Sequence, residues 1–295
     1  MPISPSLREL ADAAARVITT FDALPDKPVA VANAAELDPG AAGEIIERYA
    51  RHGFCILELT GDDPSPDTLE LLGSSLQLGD PFIPPLYKMG SSTPQPVSRI
   101  SAAQNSGTSD ADHPSFGRTV GQRLHSDGTL QDIGVVKAAI LVCESPAAEG
   151  GDTMLFNTSA AFVDLLAADP AAAAAMATPG SLVRTSNING CTDENRGAAV
   201  SVIDGALVSR YSVTDTDSWA VPDGVDEHDL QRGVEALSKA SQLGNRHYVE
   251  LKLASGQAII FDNTRISHGR TSYRDSQDQR RCMYRGIYLR HPSVA

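Results

Sequence analysis

The chain reads as an α+β protein with a double-stranded β-helix (jelly roll) core and flanking helices. Three observations predict this. Short segments rich in β-branched and aromatic residues recur between turn formers along most of the sequence. Helical patterns gather at the N-terminus and in one insert instead of alternating with single strands, which disfavours a parallel α/β sheet. No repeat or linker divides the chain, so residues 1–295 read as one domain.

The opening segment, MPISPSLRELADAAARVITTF, predicts a short amphipathic helix with Leu7, Leu10, Ala14 and Val17 on one face. A second helix starts where Asp38 can cap it and Pro39 suits the first turn. Ile45, Ile46 and Tyr49 share a face, and Gly53 can end it. Strand 54–59 (FCILEL) follows at once, then a helical stretch over 67–76. Residues 90–117 are dense in Pro, Gly, Ser and Asn and read as a lid loop around one short strand near 97–101. Further strands are expected at 135–142, 153–156, 181–185, 199–203, 206–211, 248–253, 258–261 and 283–289. Helices are expected at 159–166, 170–176 and 226–241, so that 159–241 forms a largely helical insert.

Composition narrows the function. There are 24 Lys and Arg against 37 Asp and Glu, a net charge of −13, which argues against nucleic acid or an anionic membrane as partner. No basic start leads into an apolar run, and no stretch approaches the roughly 20 apolar residues of a membrane span. A cytoplasmic location and a small-molecule substrate are expected. Cys55, Cys143, Cys191 and Cys282 lie far apart without a CxxC pair, which predicts free, mostly buried thiols.

Among seven histidines, His52, His113, His228, His247 and His291 read as ordinary surface or core residues. His125 differs because Asp127 follows two residues on, in RLHSDGT, and positions i and i+2 of an extended chain share a face. An HxD pair alone is a weak signal, and a metal needs a third ligand. His268, in GQAIIFDNTRISHGRTSY, is the candidate. Two histidines and one carboxylate can occupy one face of octahedral iron(II) and leave positions open for a bidentate co-substrate and O₂. A structural site would be closed by four protein ligands.

With these residues in view, the sequence resembles the taurine dioxygenase (TauD/TfdA) family of Fe(II)/2-oxoglutarate oxygenases, including its clavaminate-synthase-like members. Four features agree in order: HSDGT, GGDT at 150–153, FDN at 261–263 ahead of His268, and QRRCMYR at 279–285. The resemblance implies iron held by His125, Asp127 and His268, with 2-oxoglutarate and O₂ as co-substrates. It implies Thr153 and an arginine at the distal carboxylate of 2-oxoglutarate. Arg285 is favoured as that anchor, with Arg281 as its rival on the same strand face. Because Asp127 is present where halogenating relatives carry a small residue, hydroxylation is the expected outcome, with desaturation or ring closure as variants. Arg270, Arg210 and Asn187 are candidates to face the substrate, which is expected to be small and polar, of amino-acid-like or peptide-like kind from bacterial secondary metabolism. Two other classes compete: a metal-dependent hydrolase on the same triad, which has no use for GGDT and QRRCMYR, and a non-catalytic cupin-like binding protein.

Overall fold

A computed structural model describes residues 4–85, 95–102, 117–186 and 191–294. In chain order the elements are α1 (Leu7–Ala14), β1 (Val29–Val31), α2 (Pro39–His52), β2 (Phe54–Leu59), α3 (Pro66–Ser75), β3 (Ser98–Ile100), β4 (Gln122–His125), β5 (Ala138–Ser145), β6 (Glu149–Gly150) and β7 (Thr153–Asn157). There follow α4 (Thr158–Ala168), α5 (Pro170–Met176), β8 (Leu182–Thr185), β9 (Glu194–Gly197), β10 (Val200–Ile203), β11 (Ala206–Ser209), β12 (Asp217–Trp219) and α6 (Glu227–Ala240). The chain ends with β13 (Tyr248–Leu251), β14 (Gln257–Asp262), β15 (Ile266–Arg270), β16 (Tyr273–Arg274) and β17 (Cys282–Tyr288). The fold is mixed α+β and mostly sheet.

Two sheets dominate. The larger runs β1-β2-β14-β5-β17-β3, and the smaller runs β13-β7-β15-β4. Every neighbouring pair in both is antiparallel except β1 with β2. Alternation along the strands of the larger sheet sorts its side chains into two layers. Cys55, Leu57, Ile140, Val142, Ile260 and Tyr284 meet α2 and α3 through Ile45, Tyr49, Leu69 and Leu72. On the opposite face Phe54, Leu141, Ile259, Phe261, Met283 and Ile287 pack with Leu155 and Ile266 of the smaller sheet. Each such fully buried apolar side chain contributes about 1.5–3 kcal/mol. A third cluster joins α1, α4, α5 and α6 to β8, β10 and β11 around Phe162, Met176 and Tyr211.

The capping signals of α2 act as predicted. The Asp38 side chain accepts from the Gly40 and Ala41 amides, and Gly53 ends the helix at φ 75°. In α1 the buried residues are Leu10, Ala13 and Ala14, whereas Leu7 is exposed. The strand expected at 135–142 begins at Ala138, because Val135 closes a turn onto the Asp132 carbonyl. The 159–241 segment holds five short strands, β8 to β12, as well as its helices. Of the 90–117 loop, the described part contains β3, paired with β17, while 86–94 and 103–116 lie outside the described residues. All four cysteines are free thiols, three of them buried.

Candidate active site

β4 and β15 are antiparallel neighbours, and their register sets His268 opposite His125. Asp127 lies just past the end of β4. One donor atom from each of His125, Asp127 and His268 falls within 4.8 Å of the others. The imidazole centroids are 4.3 Å apart, and His268 Nε2 is 3.7 Å from Asp127 Oδ2. Behind His268 the Phe261 ring lies 4.5 Å away, a buried wall on the larger sheet.

Burial fixes the charge states. It pushes the His268 imidazole down, with His125 adding to the effect, to about 3. The His125 imidazole is lowered too, chiefly by burial. Burial alone would raise the Asp127 carboxyl, but Arg285 and then the two imidazoles bring it to about 2. Two neutral imidazoles beside one carboxylate are the state in which these groups bind metal.

The residues fit an iron(II) ion. Asp127 Oδ2, which faces His268 Nε2, is buried with no hydrogen-bond partner, a cost of about 1–3 kcal/mol when left unsatisfied. His125 Nδ1–H donates to the Arg123 carbonyl at 2.9 Å, which leaves Nε2 as a lone-pair donor, and the Gln122 amide donates to it at 3.2 Å. Asp127 itself is held from two sides. Its N–H donates to Asn263 Oδ1 at 2.7 Å, and Asn263 Nδ2 donates to the carbonyls of Asp127 at 3.2 Å and Val136 at 3.1 Å. Arg285 Nη1 donates to Asp127 Oδ1 at 2.9 Å, so that Oδ2 is the oxygen left over. The FDN motif marked Asn263, but its grip on Asp127 is visible only in three dimensions.

Thr153 begins β7 and lines a small cavity with Gly150, Gly151, Cys143 and Arg281. Gly151 sits at φ 75°, and a Cβ there would come within 3.3 Å of Arg281 Cδ and Nε. The GGDT turn is therefore shaped around the Arg281 side chain. Burial, with Arg270 adding to it, lowers the Arg281 guanidinium to about 10, still charged at neutral pH. Arg285 lines a different cavity, with Phe82, Gln95 and Ser98. The structure thus brings Thr153 together with Arg281, and Arg285 together with Asp127.

The three expected substrate contacts separate. Arg270 Nη2 donates to the carbonyls of Arg118 and Val120 at 2.9 and 2.8 Å. Arg210 Nη1 donates to the Gly128 carbonyl at 2.9 Å, and its Nη2 lies 3.6 Å from Asp217 Oδ2. Arg184, fully buried, donates to the Gln131 carbonyl and to Asn195 Oδ1. Arg184 and Arg210 together hold the turn that follows Asp127. Asn187 lies outside the described residues.

The donor set and its place between two sheets define a mononuclear iron(II) protein of the kind that keeps coordination positions open. Residues 19–288 match the Taurine catabolism dioxygenase TauD, TfdA family, and the chain belongs to that family. It is an Fe(II)/2-oxoglutarate-dependent dioxygenase that oxidises a small molecule. This displaces the hydrolase and binding-protein alternatives. A uridine-5'-phosphate dioxygenase from Amycolatopsis sp is 38% identical over 264 residues, covering 88% of this chain and 92% of that one. Another uridine-5'-phosphate dioxygenase, from Streptomyces sp, is 30% identical over 261 residues, covering 87% and 91%. The solved structure of a taurine dioxygenase from Burkholderia xenovorans shares the fold, with a TM-score of 0.58 at 18% identity over 89% of each chain.

Proposed function

We propose that this enzyme oxidises a nucleoside 5'-phosphate of the uridine 5'-phosphate kind, with iron held by His125, Asp127 and His268. The observation that carries the metal assignment is the convergence of donors from His125, Asp127 and His268, with Asp127 Oδ2 buried and unpartnered. The substrate rests on the two relatives that share most of their length with this chain. A nucleotide is therefore placed ahead of the amino-acid-like molecule expected from the sequence. The net negative charge that disfavours nucleic acid does not disfavour a mononucleotide in the same way, because a single phosphate meets only the local charges of the site, where Arg210 and Arg285 lie. Arg210 and Arg285 both act on the Asp127 carboxyl.

Thr153 and Arg281 are assigned to the distal carboxylate of 2-oxoglutarate. Arg281 replaces Arg285 in this role because it shares a cavity with Thr153, while Arg285 is engaged by Asp127. A planar guanidinium takes a carboxylate in two parallel hydrogen bonds, and the Thr153 hydroxyl adds a neutral one. Iron(II), 2-oxoglutarate and O₂ together supply the oxidant, with succinate and CO₂ as co-products. The protein's own part is to keep two imidazoles neutral, hold Asp127 through Asn263 and Arg285, and exclude water with Phe261 and the inner core.

The two large sheets are read as the halves of a double-stranded β-helix within a single domain. Successive strands support this by crossing between them: β4 in the smaller sheet, β5 in the larger, β7 and β13 in the smaller, β14 in the larger, β15 in the smaller, β17 in the larger. No helix among the described residues is long and apolar enough to cross a membrane, which accords with the cytoplasmic location we favour.

Two measurements test the proposal. Anaerobic titration of the apo-protein with iron(II) and 2-oxoglutarate is expected to give a weak visible charge-transfer band that His268→Ala abolishes. Aerobic incubation with uridine 5'-phosphate is expected to raise succinate release well above the uncoupled rate. A band without nucleotide stimulation would remove the substrate and leave the metal assignment intact.

A further inference from the structure

Arg270 and Arg281 lean on one ring. The guanidinium carbon of Arg270 is 4.8 Å from the centre of the Tyr273 ring, and that of Arg281 is 5.4 Å from it. All three residues are more than nine-tenths buried, at 5, 7 and 5% exposure for Arg270, Tyr273 and Arg281. The two cations each carry a buried polar atom with no hydrogen-bond partner, Arg270 Nε and Arg281 Nη1, while the Tyr273 oxygen lies by the Ala102 main-chain N–H and keeps its own O–H to donate. The acceptors that Arg270 does have are main-chain carbonyls. Asp275, six residues before Arg281, accepts the Arg281 main-chain N–H, and its charge only partly offsets the burial that lowers the Arg281 guanidinium.

Buried cations in proteins are paired with anions, because an uncompensated charge taken out of water is expensive. Two guanidinium groups sharing one tyrosine ring therefore form a receptor that wants a negative charge. Its position is fixed by the sheets. In the β7–β15 register Arg270 stands directly opposite Thr153, so the two side chains project to the same face. On the other side, β16 pairs Tyr273 with Gly150 of the GGDT turn, and Gly151 leaves the space that Arg281 crosses.

We infer that Arg270, Tyr273 and Arg281 together receive the distal carboxylate of 2-oxoglutarate, which is thus held by two guanidinium groups and a phenol. This rests on reading Thr153 and Arg281 as co-substrate residues. The Tyr273 ring attracts both cations, and a shared carboxylate would offset the repulsion between them. The second positive charge favours a dianionic 2-oxo acid over a monoanionic one of the same shape. A plainer role for Arg270, tethering residues 118–120 through their carbonyls, makes no such distinction.

The test is calorimetric titration of the Co(II)-loaded, full-length protein with 2-oxoglutarate and with 2-oxopentanoate, which carries a methyl group where the distal carboxylate stands. Arg270→Met is expected to weaken 2-oxoglutarate binding about tenfold or more, the effect of losing a charge-assisted hydrogen bond, while 2-oxopentanoate binding stays unchanged. Tyr273→Phe, which keeps the ring, is expected to show the same selectivity with a smaller loss. If Arg270→Met does not fold, Arg270→Lys and Tyr273→Phe decide by the same comparison. The inference is overturned if the variants bind 2-oxoglutarate as the wild type does, or lose both ligands in equal proportion as a tether would. Arg281→Met serves as the reference. If it abolishes the discrimination and the Arg270 variants keep it, only the second guanidinium is wrong. If the wild type itself binds both acids alike, the underlying co-substrate assignment fails instead.

Discussion

Replacing Asn263 tests how Asp127, the proposed iron ligand, is held. In Asn263→Ala, three buried main-chain groups lose their partner: the Asp127 N–H and the carbonyls of Asp127 and Val136. An unsatisfied buried group costs about 1–3 kcal/mol. Partial relaxation keeps the sum below three such terms, so a loss of about 3–5 kcal/mol is expected. That is a large share of the roughly 5–15 kcal/mol that stabilises a folded protein, and it corresponds to a melting temperature lower by roughly 5–10 °C. The same change frees the Asp127 carboxylate to wander, and supports of metal ligands are typically worth about 10–100-fold in affinity. Asn263→Asp sharpens the test, because it keeps the shape and the acceptor for the Asp127 N–H but faces two carbonyl oxygens with a carboxylate. It should be at least as damaging as alanine. Differential scanning fluorimetry of the apo-protein and Co(II) titration read the two effects separately. If Asn263→Ala melts with the wild type and binds Co(II) with unchanged affinity, Asn263 does not position Asp127.

Other perturbations follow from the same geometry. Metal-free stability should fall as pH drops below about 6.5, because the unfolded chain protonates its histidines there while His268, at about 3 when folded, stays neutral. Urea midpoints that stay level from pH 7 to 4.5 would contradict the His268 assignment; Asp127 acts in the same direction only at lower pH, its contribution being lost as pH falls from 3.8 toward about 2. Arg210→Met leaves the Gly128 carbonyl and Asp217 without their cation, and a loss of about 3 kcal/mol by denaturant titration is expected. Gly151→Ala forces a side chain into a left-handed backbone at φ 75° and against Arg281. It should raise the KM for 2-oxoglutarate several-fold and leave the KM for the primary substrate unmoved, and an equal rise in both would show that the turn does not shape the carboxylate pocket.

Much of the scaffold was legible because apolar patterning and turn chemistry are local. The α2 caps at Asp38 and Gly53, the buried strands β2 and β14, and the helix α6 all announce themselves in a few residues. The strands that carry the site were the hardest to read. β4 (QRLH) and β15 (ISHGR) place His125, His268 and Arg270 where a structural strand would place valine or leucine, so no apolar alternation marks them. Function had overwritten the signal of structure at those positions.

The sequence by itself pointed to His125, Asp127 and His268 as a candidate metal triad and to the oxygenase family, because they stand in motifs whose residue types and order agree with it. It favoured Arg285 over Arg281 as the 2-oxoglutarate anchor, two residues that alternation puts on one strand face. Which residues each arginine meets is decided by the tertiary structure. β17 pairs with β5 through an irregularity between Cys282 and Met283, with Arg285 opposite Leu141 and Met283 opposite Cys143. This register delivers Arg285 to Asp127 and leaves Arg281 over the GGDT turn. Likewise Asn263, Tyr273 and Arg270 acquired their neighbours only through pairings between strands far apart in the chain. A side chain's partner depends on which strand lies beside it, and that is decided by the packing of the whole core.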